Sequence, residues 1–167
     1  MIPAAFDYVR PETLEEALEL LARHGDEAKI LAGGHSLVPA LKLRLLQPKL
    51  LVDLGRLKNL RGIREDGETL VIGALSTHAE LEASDLLEKH CPLLPETART
   101  IGDAQVRNRG TFGGSLAYAD PAADWPAAAL ALEAELEIAG PSGRRRVAAR
   151  EFFVDLLQTA VNPGEIL

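Results

Sequence analysis

The chain has 167 residues, 47% of them hydrophobic, which is enough apolar material for one domain or two small lobes with real cores. Its 18 basic and 25 acidic residues give a formal charge of −7, and an acidic surface repels phosphate backbones, which argues against a nucleic-acid partner. The single cysteine, Cys91, excludes an internal disulfide, a Cys-based zinc site or an all-cysteine iron–sulfur cluster made by this chain alone.

Membrane and metal functions are not expected from the pattern either. No apolar stretch approaches the roughly 20 residues that a membrane-spanning helix needs, and the opening Met1-Ile2-Pro3 lacks the basic start of a signal peptide. We therefore expect no transmembrane segment and a cytoplasmic location. His24, His78 and His90 are interpreted as residues near helix ends, neither catalytic bases nor metal ligands, since none has a second ligand nearby.

The first third of the chain alternates strand and helix patterns. Strands are predicted over residues 6–9, 29–32 and 50–54. Thr13 and Glu16 form a capping-box pattern that begins a helix, and Gly25 ends it. A helical or irregular segment is predicted over residues 37–46. This β-α-β-α-β order predicts a small α/β lobe of parallel strands, assigned to residues 1–56.

From residue 57 onward the pattern changes to antiparallel pairing. Asp66-Gly67 stands between two apolar runs and is a strong hairpin signal, so residues 60–64 are expected to pair with 69–72. A second hairpin is expected to join residues 134–138 to 144–147. Residues 57–167 are therefore assigned to a larger α+β lobe with antiparallel sheet.

Helices are predicted between these two hairpins. Thr77 and Glu80 form a second capping-box pattern that opens a helix to about residue 88, and a further helix is predicted over residues 93–100. Asp124 is expected to cap the last helix. Residues 101–121 contain four glycines and little periodicity, and so long a loop in a compact domain indicates a functional role.

Two Gly-Gly pairs carry the candidate site. Gly33-Gly34 directly follows a predicted strand, where backbone N–H groups can face an anion without an intervening Cβ. Gly113-Gly114 lies between the hydroxyl side chains of Thr111 and Ser115. Either pair could be a simple tight turn. Two such segments on two lobes predict one ligand between them, and neither a P-loop nor a Rossmann glycine pattern is present.

Nearby polar side chains have two readings each. Arg107 and Arg109 could neutralise phosphate charge or could lie in solvent. Asp124 could bind a ligand hydroxyl only if helix capping leaves one of its carboxylate oxygens free.

Three longer motifs include the two glycine pairs and Asp124. The segments Ala32-Gly33-Gly34-His35-Ser36-Leu37-Val38-Pro39, Ile101 to Ser115, and Ala119-Asp120-Pro121-Ala122-Ala123-Asp124-Trp125-Pro126 together resemble the FAD-binding, medium subunit of the carbon monoxide dehydrogenase and xanthine dehydrogenase family. The resemblance spans the whole chain. It implies a two-lobed α+β fold of the p-cresol methylhydroxylase type, with FAD extended in the cleft between the lobes.

The resemblance also implies site residues. The two glycine segments would hold the FAD diphosphate and adjoining sugars, an aspartate of the following turn corresponds to Asp124, and a leucine that packs on the cofactor corresponds to Leu167. The family often has asparagine where this chain has Ser115. The implied cofactor-binding set is Leu31, Ala32, Gly33, Gly34, His35, Ser36, Leu37, Thr111, Gly113, Gly114, Ser115, Asp124 and Leu167.

The implied function is electron transfer. Substrate would be oxidised in a molybdopterin large subunit, and electrons would pass through an iron–sulfur small subunit to FAD and then to an external acceptor. Subunits of this family continue past residue 167, so we expect a C-terminally incomplete larger lobe that binds FAD weakly or not at all in isolation. The alternatives are a flavin-binding or interaction module without activity of its own, and a stand-alone FAD oxidoreductase.

Overall fold

Three parallel strands form the sheet of the N-terminal part. The computed structural model describes residues 1–167. Strand β1 (Asp7–Val9) and strand β2 (Ala28–Leu31) both pair with strand β3 (Leu50–Asp53), so the order is β1-β3-β2. Helix α1 (Leu14–His24) connects β1 to β2, and helix α2 (Leu37–Lys42) lies between β2 and β3. The observed order of elements is the predicted alternation.

Helix α1 forms for the reasons that its sequence indicates. The Thr13 side chain accepts a hydrogen bond from the Glu16 N–H, and Gly25 ends the helix at a φ of 52°. Leu14, Ala17 and Leu21 are buried on one face, as the i, i+3, i+7 spacing requires.

One hydrophobic cluster joins this helix to the sheet but is not confined to the N-terminal part. It comprises Leu14, Ala17, Leu21, Ala28, Leu50, Val52, Leu54, Leu57, Leu75 and Ile166. Leu75 and Ile166 come from far beyond residue 56. The predicted lobe boundary at residues 56 and 57 stays a prediction, and the first core is completed by later segments of the chain.

The rest of the chain combines antiparallel hairpins with short helices. The strands are β4 (Ile63–Asp66) with β5 (Thr69–Ile72), β6 (Glu135–Gly140) with β7 (Gly143–Ala148), and β8 (Phe153–Asp155) with β9 (Gln158–Thr159). The helices are α3 (His78–Glu82), α4 (Asp85–His90), α5 (Leu93–Thr100), α6 (Ala104–Arg107), α7 (Phe112–Tyr118), α8 (Asp124–Ala131) and α9 (Ala149–Phe152). The antiparallel pairing is divided among three separate two-stranded sheets.

A second cluster forms the core beneath these elements. It is centred on the fully buried Trp125 and Phe152 and includes Leu81, Leu87 and Ile138. Burial of large side chains such as these stabilises the fold by about 1.5–3 kcal/mol each. None of the helices is both long and apolar enough to cross a membrane.

Three predicted helix features are corrected by the structure. The single helix expected to run from Thr77 to about residue 88 is two helices, because Ser84 accepts a hydrogen bond from the Leu87 N–H and begins α4. The expected loop 101–121 contains α6 and α7. Asp124 is not a cap: Ala123 occupies the N-cap position of α8, and Asp124 is the first helical residue.

Candidate functional site

The first glycine segment, residues 32–36, leaves the end of β2 and leads into α2. The backbone N–H groups of Gly33, Gly34, His35 and Ser36 donate to no protein acceptor. Gly34 has a φ of 81°, in the left-handed region that favours glycine. A turn of this kind directs successive N–H groups to one side and forms a concave anion site. His35 and Ser36 are exposed, and Gly33 and Gly34 are half-buried.

The second glycine segment, residues 111–115, is the first turn of α7 and uses its N–H groups within the protein. Phe112 N–H donates to the Ser76 carbonyl and Gly113 N–H to the Ala74 carbonyl, each at 2.8 Å. Gly114 N–H donates to the Thr111 hydroxyl oxygen at 3.3 Å, which caps the helix. The second segment therefore offers hydroxyl groups, where the first offers free backbone donors.

The two segments are in direct contact. A Cβ added to Gly33 would clash with the Arg109 carbonyl and would lie 2.8 Å from the Gly110 Cα, so only glycine allows this approach. A Cβ on Gly114 would lie 3.6 Å from the Ala32 methyl. The structure thus brings together the segments that the sequence predicted to share a ligand.

Two arginines near this junction have different environments. The Arg107 guanidinium forms an ion pair with Glu82 at 2.7 Å and also donates to the Ile101 carbonyl. Arg109 is exposed, and its guanidinium forms no hydrogen bond or ion pair. Arg107 was expected either to neutralise phosphate charge or to lie in solvent. It does neither in the folded chain, because its guanidinium is bound by Glu82 and the Ile101 carbonyl. Arg109 has its backbone carbonyl beside Gly33 and an exposed side chain.

Behind the junction lies a residue that the sequence did not single out as part of a site. His78 begins α3, is 5% exposed, and accepts a hydrogen bond at Nδ1 from the Trp125 indole N–H at 3.0 Å. Burial, together with the nearby His35, lowers the pKa of His78 to about 4. A Cβ on Gly110 would lie 2.5 Å from His78 Nε2. The capping box at Thr77 was visible in the sequence, but the contact with Trp125, 47 residues away, was not.

Asp124 and Leu167 lie elsewhere. Asp124 is exposed in a groove between α5 and α8 that Thr97 and Thr100 also line, and no residue of either glycine segment lines this groove. Its carboxylate makes no cap hydrogen bond, so both oxygens are free. Leu167 packs, partly buried, against the second core cluster. Their roles at a cofactor stay predictions.

The fold and the site together indicate a nucleotide-binding protein. The protein has a two-part α+β fold in which a turn of free backbone donors touches the hydroxyl-bearing start of a helix, and such a site suits a nucleotide diphosphate. Residues 4–167 match the family described as the FAD binding domain in molybdopterin dehydrogenase, and the chain belongs to this family.

Individual relatives agree with this assignment. The chain is 47% identical over 167 residues to the carbon monoxide dehydrogenase medium chain of Hydrogenophaga pseudoflava and 46% identical to the 6-hydroxypseudooxynicotine dehydrogenase complex subunit alpha of Paenarthrobacter nicotinovorans. Each match covers 100% of this chain but only 58% and 56% of the two relatives, respectively, so the chain spans somewhat more than half of their length.

A solved structure is similar throughout the chain. The carbon monoxide dehydrogenase from Hydrogenophaga pseudoflava that lacks the Mo-pyranopterin moiety superimposes with a TM-score of 0.99, at 47% identity, over 100% of this chain and 58% of that one. The predicted family, α+β fold class and FAD cofactor are confirmed.

Proposed function

We propose that this chain binds FAD chiefly through its diphosphate, with the N–H groups of Gly33, Gly34, His35 and Ser36 as the main donors. The observation that carries the proposal is that these four consecutive donors have no acceptor in the protein. A diphosphate offers several acceptor oxygens close together, and hydrogen bonds to a charged acceptor are stronger than neutral ones. The donors are on an exposed turn, where a ligand can reach them.

The second segment has a complementary role in this proposal. Thr111 keeps its hydroxyl proton for a ligand oxygen, since its oxygen is the acceptor for Gly114 N–H. Ser115 offers a second hydroxyl. Gly113 N–H is already used by Ala74, so Gly113 contributes a close approach of bare backbone. Leu31, Ala32, Leu37, Gly114, Asp124 and Leu167 complete the proposed contact set.

For the whole protein we propose a FAD-containing oxidoreductase subunit of a molybdenum hydroxylase. Bound FAD would supply the redox chemistry, accepting electrons from an iron–sulfur small subunit beside a molybdopterin large subunit and passing them to an external acceptor. The names of the relatives support a multi-subunit assembly, since one is a medium chain and another a complex subunit. A cytoplasmic location remains part of the proposal.

Substrate choice is proposed to lie outside this chain. The two relatives above have nearly equal identity to it, 47% and 46%, yet one is named for carbon monoxide and the other for 6-hydroxypseudooxynicotine. These molecules share no recognition chemistry, so a domain similar to both is a poor candidate for the part that distinguishes them.

The test compares two glycines that share a left-handed conformation. Gly34 has a φ of 81° and Gly67, in the β4–β5 turn, has a φ of 63°. A β-branched residue is strongly disfavoured at either position, so Gly34→Val and Gly67→Val both strain the backbone. We expect Gly34→Val to weaken FAD binding by about tenfold or more, because the N–H groups turn away from the diphosphate. Gly67→Val should bind FAD like the parent chain.

Binding is measured by equilibrium dialysis, extended to millimolar FAD so that weak binding is also quantified, and folding is checked by circular dichroism. Equal FAD affinities of the folded Gly34→Val variant and the parent would overturn the diphosphate assignment. Because the isolated chain is expected to bind FAD weakly or not at all, the proposed function itself is overturned by a folded parent chain that still binds no FAD when it is assembled with its proposed partner subunits.

A further inference from the structure

The hydrogen bond at Nδ1 of His78 determines which nitrogen of the imidazole carries the proton. Trp125 Nε1 can only donate, so Nδ1 of His78 must be the unprotonated acceptor in their 3.0 Å hydrogen bond. With its pKa at about 4, the imidazole is neutral near pH 7 and carries its single proton on Nε2. Trp125 is fully buried, so the pair forms a rigid support for the ring.

The Nε2–H group is a donor without a protein partner. The side chain is 5% exposed, yet its only hydrogen bond is the one at Nδ1. No fully buried side-chain nitrogen in the protein lacks a partner, so Nε2 keeps a small opening to the outside. Buried donors in proteins are normally hydrogen-bonded. A nearly buried N–H group that has no partner in the protein and is still accessible therefore indicates that a ligand supplies the acceptor.

The Nε2 atom lies next to Gly110, at the junction of the two glycine segments. Only glycine fits at position 110, because a Cβ there would lie 2.5 Å from Nε2. The Gly110 Cα in turn contacts Gly33. His35, from the first segment, is near enough to influence the His78 charge. The His78 side chain therefore lies close behind the first glycine segment, whose N–H groups are free.

We propose that His78 is a further ligand-contacting residue, whose Nε2–H donates to an oxygen of the FAD diphosphate held by residues 33–36. This inference rests on the proposed function. A neutral imidazole suits the position, since its Nε2–H is a directed donor while its unprotonated Nδ1 accepts the hydrogen bond from Trp125. Trp125 acts as a positioning residue that keeps the proton on Nε2.

Two substitutions separate this role from a structural one. The amide oxygen of His78→Asn can take the Nδ1 place and accept from Trp125, but asparagine is too short to replace Nε2–H. The amide of His78→Gln reaches the Nε2 place and keeps a donor there. We expect His78→Asn to weaken FAD binding by about tenfold or more and His78→Gln to retain most of the affinity. A purely structural role predicts the opposite order.

The ligands are FAD and ADP, because ADP carries a diphosphate and lacks the flavin. We expect His78→Asn to weaken both by a similar factor, with thermal unfolding and Trp125 fluorescence measured for every variant. Asparagine that rescues better than glutamine, or loss of FAD affinity without loss of ADP affinity, would overturn the proposal. If the parent binds FAD and both variants bind equally well, this inference fails alone. A folded parent that binds neither ligand, also when it is assembled with its proposed partner subunits, overturns the proposed function together with this inference.

Discussion

Arg107 and Arg109 stand two positions apart in one segment, and their surroundings give them different functions. Arg107 is held by Glu82 and by the Ile101 carbonyl, so it ties α6 to α3 and to the end of α5. Arg109 has an exposed guanidinium and a backbone carbonyl against Gly33. No sequence pattern distinguishes the two, because the partner Glu82 is 25 residues away.

The pair is therefore a matched test at the residue scale. We expect Arg109→Gln to weaken FAD binding several-fold and to make it less sensitive to salt, because a charge near the diphosphate is lost. Arg107→Gln should instead lower the free energy of unfolding, by about 1–3 kcal/mol, since a partly buried ion pair is broken. FAD affinity at low and high salt and urea unfolding measure the two effects. The expectation fails if Arg109→Gln changes only stability.

At the scale of elements, α7 shows how a glycine-rich segment forms a helix. Glycine is about 1 kcal/mol less favourable than alanine in a helix, and Gly113 and Gly114 both lie in the first turn. Two features compensate. Thr111 caps the turn, and Gly113 packs against Ala74 so closely that a Cβ would have no room. The helix is stabilised by its packing and cap, against its intrinsic propensity.

The cap predicts a measurable difference between two substitutions. Thr111→Val removes the hydroxyl acceptor of Gly114 N–H with little change in shape, and we expect a loss of about 1 kcal/mol in the free energy of unfolding. Thr111→Ser retains the acceptor and should lose less. Urea unfolding of the three proteins checks this order. Equal stabilities of the valine and serine variants would show that the 3.3 Å hydrogen bond contributes nothing to stability.

At the scale of the whole molecule, His78 links stability to pH. The folded protein holds the pKa of His78 at about 4, below the usual 6.5, so the unfolded chain binds more protons between these values. Stability from this group is fully present above about pH 6.5 and is lost as the pH falls towards 4. The lowered pKa of His78 contributes at most roughly 3 kcal/mol to the free energy of unfolding.

Two carboxylates lower the free energy of unfolding further at lower pH. Hydrogen bonds from Arg144 and Arg145 lower the pKa values of Glu137 and Glu165, respectively. Lowered carboxyl pKa values give stability that is present above the unfolded pKa of about 4.5 and is lost as the pH falls further. The free energy of unfolding should therefore fall over two overlapping pH ranges, with His78 responsible for the upper one.

The upper step is isolated by substitution. We expect the free energy of unfolding of His78→Gln to fall less than that of the parent between about pH 6.5 and pH 5, because the titrating group is gone. Denaturant unfolding at several pH values provides the data. Parallel curves for His78→Gln and the parent would contradict the assignment.

Much of this architecture is encoded in short stretches of sequence. Thr13 and Gly25 delimit α1, and Gly67-Glu68 forms the turn of the hairpin that Asp66-Gly67 predicted, because caps and tight turns depend on neighbouring residues alone. The free donors after β2 were predicted for the same local reason. The predicted helix from Thr77 failed in its length because Ser84 starts a new helix, a choice that periodicity does not reveal.

The chemistry of the second glycine pair was decided only by the tertiary structure. By sequence, Gly33-Gly34 and Gly113-Gly114 are equivalent, and both were expected to present N–H groups to a diphosphate. In the folded chain the carbonyls of Ala74 and Ser76 accept hydrogen bonds from the N–H groups of Gly113 and Phe112, whereas no carbonyl accepts a hydrogen bond from the N–H group of Gly33 or Gly34. These acceptors lie more than 30 residues away along the chain. The sequence determined where bare backbone would occur, and long-range packing decided which of its donors stayed free.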